Sequence, residues 1–133
     1  KRRGNILRNN ILKFFSVITL MLLFVVLASC AKSEHVGKYN VTSISGIGNI
    51  SEIYEYNYIE LKKNGDYYQT NKVKGTDTVF EQTGEWEVDG ETITIITKSG
   101  SQKITETGTI KDGKITLTAQ IGGSTLTVVW EKE

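Results

Sequence analysis

The 133-residue sequence has no proline, and it has one cysteine (Cys30), one histidine (His35) and one methionine (Met21). A single thiol cannot form a disulfide within the chain, so a domain exported to an oxidising compartment must stand on its own core. His35 lies outside the patterned part of the chain, so no Ser-His-acid arrangement can be assembled from that part. Clusters of Cys and His with metal-ligand spacing are also absent. Without proline, nothing breaks a run of strands. Gly46 and Gly48 form a lone Gly-x-Gly, but no strand feeds a helix there, so it is a flexible loop and no dinucleotide site.

Acidic residues are missing as well before Glu34, where Lys1, Arg2, Arg3, Arg8 and Lys13 are all basic. The run FFSVITLMLLFVVLA, from Phe14 to Ala28, is almost wholly apolar. A basic start, an apolar run and a small-residue cleavage site make an export signal, so residues 1–29 are expected to form a signal-peptide helix. The chain opens on Lys1 with no Met, and its natural start is expected just upstream. The apolar run is short for a spanning helix, which needs ~20 apolar residues. The competing reading is an uncleaved N-terminal anchor, and Cys30 argues against it. Leu27-Ala28-Ser29-Cys30 resembles the lipobox of bacterial lipoproteins, an aliphatic residue and two small ones ahead of a Cys. That resemblance implies a diacylglyceryl group on the Cys30 thiol, cleavage before Cys30 and an acyl chain such as palmitate on the new amine. Two or three chains anchor stably where one alone is marginal. The implied location is a cell membrane or outer membrane, with the domain on the extracytoplasmic side.

Without residues 1–29 the chain has 11 Lys and Arg against 15 Asp and Glu, a net charge of −4. A mildly acidic body excludes nucleic acid, whose binding is dominated by basic contacts to phosphate. The segment after the cysteine, AKSEHV, is short and polar, so residues 30–36 are expected to be the lipidated Cys and a tether. His35 reads there as a solvated linker residue.

From Gly37 the pattern has a period of two and β-branched residues dominate, as in ETITIITK, KITLTAQI and STLTVVW. Asn64-Gly65, Asp89-Gly90, Ser99-Gly100, Asp112-Gly113 and Gly122-Gly123 punctuate it, and such pairs supply the positive φ angles of tight hairpins. The strands expected are 37–45, 53–63, 66–74, 78–88, 91–98, 101–111, 114–121 and 124–132. Two-residue turns at the last four pairs would set Trp86 opposite Ile93, Ile95 opposite Ile104, Ile93 opposite Glu106, Ile110 opposite Ile115, Leu117 opposite Val128 and Ile115 opposite Trp130. Apolar faces apolar at most of these positions, so the registers support one another. At Asn64-Gly65 a two-residue turn sets Leu61 opposite Tyr68 and a longer one sets it opposite Tyr67. The shared inward face would then include Phe80, Trp86, Val88, Ile93, Ile95, Ile104, Ile110, Ile115, Leu117, Leu126, Val128 and Trp130. An eight-strand meander with one apolar face loses both edges by closing into an up-and-down barrel. A flattened two-sheet sandwich is the alternative. The fold class is therefore all-β.

Gly37-Lys38-Tyr39, the loop SGIGNISE, then YIELKKNGDYY, GEWEVDGETITI, GTIKDGKITLT and the closing TVVWEK carry a resemblance over the whole of 37–133. In spacing and turn chemistry this stretch is similar to the small lipocalin-like (calycin-type) domains of bacterial lipoproteins. Tyr39 stands where lipocalins carry Trp, and no flanking helix follows the last strand. The resemblance implies a β-barrel that holds a ligand without catalysis or cofactor.

The residues themselves offer two candidate sites. Asn57, Gln82 and Glu106 are polar on the inward face. A carboxylate among Ile93 and Trp86 must find hydrogen bonds or water, or else protonate. Glu106 is thus either a mouth residue or the polar anchor of a cavity lined by Tyr39, Trp86 and Trp130. Tyr54, Tyr56 and Tyr58 alternate along one strand, with Tyr67 and Tyr68 across the turn. Facing solvent, they make a stripe suited to a protein or sugar surface; turned in by a bulge, they are core. Two functions follow: a lipid-anchored binder of a small apolar or amphipathic ligand, or a surface module that engages an envelope protein through the 46–52 loop and the tyrosines. Glu81, Glu85 and Glu87 share a polar strand face and read as solvated. No catalytic or metal site is expected.

Overall fold

The computed structural model describes residues 32–133, and the glycine and asparagine pairs fall at strand junctions within it. The strands are β1 (Gly37–Ile44), β2 (Tyr54–Leu61), β3 (Asp66–Val73), β4 (Val79–Asp89), β5 (Thr92–Ser99), β6 (Gln102–Lys111), β7 (Lys114–Ile121) and β8 (Ser124–Lys132). A four-residue helix, α1 (Ile50–Ile53), interrupts the β1–β2 connection. Each strand pairs antiparallel with the next, and β8 pairs back onto β1. The sheet is a closed eight-stranded barrel and not a sandwich, and closure removes the unpaired edges that a meander would expose. The expected signal segment, 1–29, and Cys30 lie outside the described residues. Among the described residues no helix is long and apolar enough to cross a membrane.

Where two successive residues tolerate positive φ, the turn sits on the expected pair. Asp112 and Gly113 have φ of 51° and 72°, and Gly122 and Gly123 have 56° and 83°. Ile110 accordingly faces Ile115, Leu117 faces Val128, and Ile115 faces Trp130. The β2–β3 connection takes the longer form, with Leu61 opposite Tyr67. Asn64 steers it, its side-chain oxygen accepting from the Asp66 N–H at 3.0 Å.

Two expected registers are corrected. Trp86 faces Ile95 rather than Ile93, and Ile95 faces Glu106 while Ile104 faces Thr97. The cause is that Asp89 and Ser99 stay in the strands. Gly90 and Gly100 become the first loop residues, at φ 59° and 61°, and Glu91 and Ser101 keep negative φ. This is the pattern of a hairpin that needs positive φ at its first position alone. Because the partner moves by two residues, every side chain stays on its expected face.

The interior is packed at one end only. Tyr39, Ile59, Leu61, Tyr67, Trp86, Ile93, Ile95, Ile110 and Ile115 are buried to within a few per cent, and Val41, Val88 and Val128 pack against them. Trp86 donates its Nε1–H to the Lys62 carbonyl at 2.9 Å, so the ring's polar edge is satisfied as well. Gly84 and Gly108 face inward on this wall. A Cβ on Gly84 would strike the Ile96 carbonyl and the Tyr67 ring, and one on Gly108 the Thr116 carbonyl and Leu117. Phe80 and Ile104, expected in the core, are instead 65% and 49% exposed. Both sit at the opposite end of the barrel, where the interior is not filled.

Residues 32–36, expected as a free tether, cap the packed end. Lys32 Nζ stands 5.0 Å from the centroid of the Trp86 ring. The His35 carbonyl accepts from the Tyr39 hydroxyl at 2.7 Å, and the Glu34 carbonyl accepts from Lys132 Nζ at 2.9 Å. Val36 packs on the core.

Candidate functional site

The unfilled end of the barrel is a cup of about 360 Å³, within the ~300–1,000 Å³ range of small-ligand sites. Its wall is divided. Along β2 to β6, consecutive inward positions supply Asn57, Gln69, Asn71, Gln82, Thr97 and Glu106, with Asn57 opposite Asn71 and Gln69 opposite Gln82. Across the cup, β7, β8 and β1 supply Leu117, Ala119, Leu126, Val128, Trp130 and Ile44. One arc is polar and mostly amide, with Tyr54 and Ile104 also on it; the other is aliphatic with one indole.

The floor is set by Tyr67, whose hydroxyl is hydrogen-bonded to the Thr97 hydroxyl. Burial holds the Tyr67 hydroxyl above the usual tyrosine range; the Thr97 bond opposes this and the negative charge of Glu106 adds to it. Glu106 itself is exposed through the mouth, so water meets its carboxylate. Two buried polar atoms in the lining residues lack a hydrogen-bond partner among the described residues: Asn57 Oδ1 and Trp130 Nε1. Both are closed off from water even with the cup empty, so each stays unpaired within the wall, at a cost of about 1–3 kcal/mol.

Glu106 and Trp130 therefore line the cup. Tyr39 and Trp86 do not: both are at 0% exposure in the packed end. Sequence reasoning placed both tryptophans inward but could not tell which depth of the barrel stays open. Gln69, Asn71 and Thr97 went unremarked. The signal for them was there, since they occupy the same alternation as Tyr67 and Ile95.

Bulges shape the cup's side wall. The register slips between Tyr54 and Tyr56, which turns Tyr54 into the cup and leaves Tyr56 and Tyr58 outside. Outside, the Tyr56 and Tyr58 rings are 6.1 Å apart, and Tyr58 and Tyr68 are 6.2 Å apart. Lys38 Nζ lies 4.5 Å over Tyr58, and Tyr68 donates to Glu81 Oε1 at 2.6 Å. Strands β1 and β2 pair only from Gly37–Asn40 to Tyr58–Leu61. Beyond Asn40 they part, and a second cavity of about 520 Å³ opens between them beneath α1, sharing Tyr54 and Asn57 with the cup. Asn49 caps α1, its side-chain oxygen accepting from the Ser51 N–H at 3.1 Å. The loop 46–52 thus stands over a side opening.

No family model matches the chain, and no curated protein matches it. Solved structures do. The REP1-NXSQ fatty acid transporter superposes with a TM-score of 0.45 at 15% identity, covering 76% of this chain and 97% of its own. As-p18, an extracellular fatty acid binding protein, gives 0.46 at 11%, covering 74% and 96%. The Echinococcus granulosus fatty-acid-binding protein 1 gives 0.43 at 9%, covering 73% and 96%.

Proposed function

We propose that the chain is a lipid-anchored, non-catalytic binding protein that holds a small amphipathic ligand in the open half of its barrel. The observation that carries this reading is the divided cup, with an amide arc facing an aliphatic one around a packed floor. Such a wall suits a molecule with one polar and one apolar side. The lipobox-like Leu27-Ala28-Ser29-Cys30 supports an anchor two residues ahead of Lys32.

The test is a titration of the full chain, carried in phospholipid nanodiscs, with 1-decanol. In a Trp86→Phe background Trp130 is the only indole, and its emission should shift as the probe enters. If the emission at saturating decanol matches that of the probe-free protein, the cup holds no such ligand and the reading fails. A second reading rests on the outer stripe of Tyr56, Tyr58 and Tyr68, which would serve a protein contact. It gains if decanol does nothing while Tyr56→Ala and Tyr58→Ala release a captured envelope protein.

A further inference from the structure

We infer that the head group bound in the cup is uncharged and rich in hydroxyls, and that the site discriminates against carboxylates. This rests on the ligand-holding reading above and adds the chemistry of the ligand.

The charge of the wall decides first. Among the residues lining the cup the only ionisable side chains are Glu106 and the weakly acidic Tyr54, and no Lys, Arg or His takes part. The lysines of the neighbouring strands stand on the outer wall. Lys72 pairs with Glu55 at 2.8 Å and Lys98 with Glu85 at 2.7 Å, while Lys103 lies opposite Lys98 on that outer face. Beyond Arg8 the sequence has no arginine. An anionic head would therefore enter a cup that offers no cation and already holds one carboxylate. Two like charges in one cup repel, which weakens the binding of an anionic head.

The hydrogen-bond inventory decides between the remaining heads. Glu106 needs a donor, whereas the Asn57 amide, its Oδ1 closed off from the cup, can offer a ligand only its N–H. Gln69, Asn71 and Gln82 each present both donor and acceptor. A carboxylate supplies acceptors alone, and an ammonium supplies donors alone. A hydroxyl supplies both, and several on one ring can meet the amide arc while an attached chain lies along Leu126 and Val128. The chemistry that recognises this cup is that of a glycosidic or polyol amphiphile.

Three probes of equal chain length separate the cases: octyl β-glucoside, octanoate and octylammonium, each titrated calorimetrically at pH 7 into the full chain in nanodiscs. Ala119→Trp, which fills the aliphatic side of the cup, gives the background from lipid partitioning in the same nanodiscs. The glucoside should bind about tenfold tighter than either charged probe. Asn57→Leu should weaken the glucoside by about fivefold, with Gln82→Leu as the second variant should Asn57→Leu fail to fold. Octanoate or octylammonium binding as tightly as the glucoside overturns the inference while leaving a ligand-holding barrel. If no probe exceeds the Ala119→Trp background, the ligand-holding reading falls and takes this one with it.

Discussion

Trp86 is the largest fully buried side chain of the packed end, with its ring edge bonded to Lys62 and its face under Lys32. Trp86→Ala should therefore cost roughly 3–5 kcal/mol in denaturant unfolding, as large core truncations do. A loss below about 1 kcal/mol would mean that the indole is not core. Tyr39 is the residue whose titration bears on stability. Its hydroxyl is pushed up to about 12 from 10.0, by burial first and by the charge of Glu34 second. A raised folded pKa means that the neutral form is favoured by folding, so the contribution is intact below pH 10 and is lost as pH rises towards 12. Unfolding followed from pH 8 to 12 should show falling stability above pH 10. Tyr39→Phe should make that alkaline limb shallower without removing it, because Tyr67 is shifted in the same direction. The same substitution forfeits the bond to His35, at about 0.5–1.5 kcal/mol near neutrality. At this scale the sequence was informative about direction and silent about depth. The period of two put Trp86, Trp130 and Glu106 on one face. Nothing in a strand's alternation says how far along the barrel axis a side chain sits, so Phe80 and Ile104 looked as buried as Ile93.

Among the elements, the turns explain both what could be read and what slipped. Asp112-Gly113 and Gly122-Gly123 admit positive φ at both positions and held their registers. At Asp89-Gly90 and Ser99-Gly100 only the glycine takes it, and the hairpin moved by one residue. Gly113→Ala tests the turn itself. Its Cβ would meet only Lys132 at an ordinary 3.5 Å, so the cost is backbone strain at φ 72° and should be about 1–2 kcal/mol. Gly84→Ala tests something else, because φ there is ordinary and space is not. Its methyl group would meet the Ile96 carbonyl and the Tyr67 ring. Overpacking of this kind costs about 1–3 kcal/mol and should also disturb the Tyr67–Thr97 floor of the cup. A bulge among these tyrosines was one of the two readings the sequence left open; its place between Tyr54 and Tyr56, which turns Tyr54 alone inward, is marked by no glycine or proline.

The barrel is asymmetric along its axis. One end is packed and capped by residues 32–36; the other is an open cup with exposed Phe80, Val79, Ile104 and Ile121 at that end. Closure and strand order were legible because eight apolar-faced strands leave two edges unless they join. The half-filled interior was not, because a count of bulky inward residues ignores where bulges and strand parting leave space. The proposed anchor has its own check: Cys30→Ser should abolish incorporation of labelled fatty acid and leave an uncut precursor. Normal labelling and maturation of that variant would remove the lipobox reading. The most direct measurement of the central proposal is native mass spectrometry of the chain released in native nanodiscs from the membranes of its own source. A ligand-holding barrel predicts an added non-covalent mass of a small amphiphile on the wild-type protein, absent from Ala119→Trp. Identical bare masses for the two proteins would contradict it.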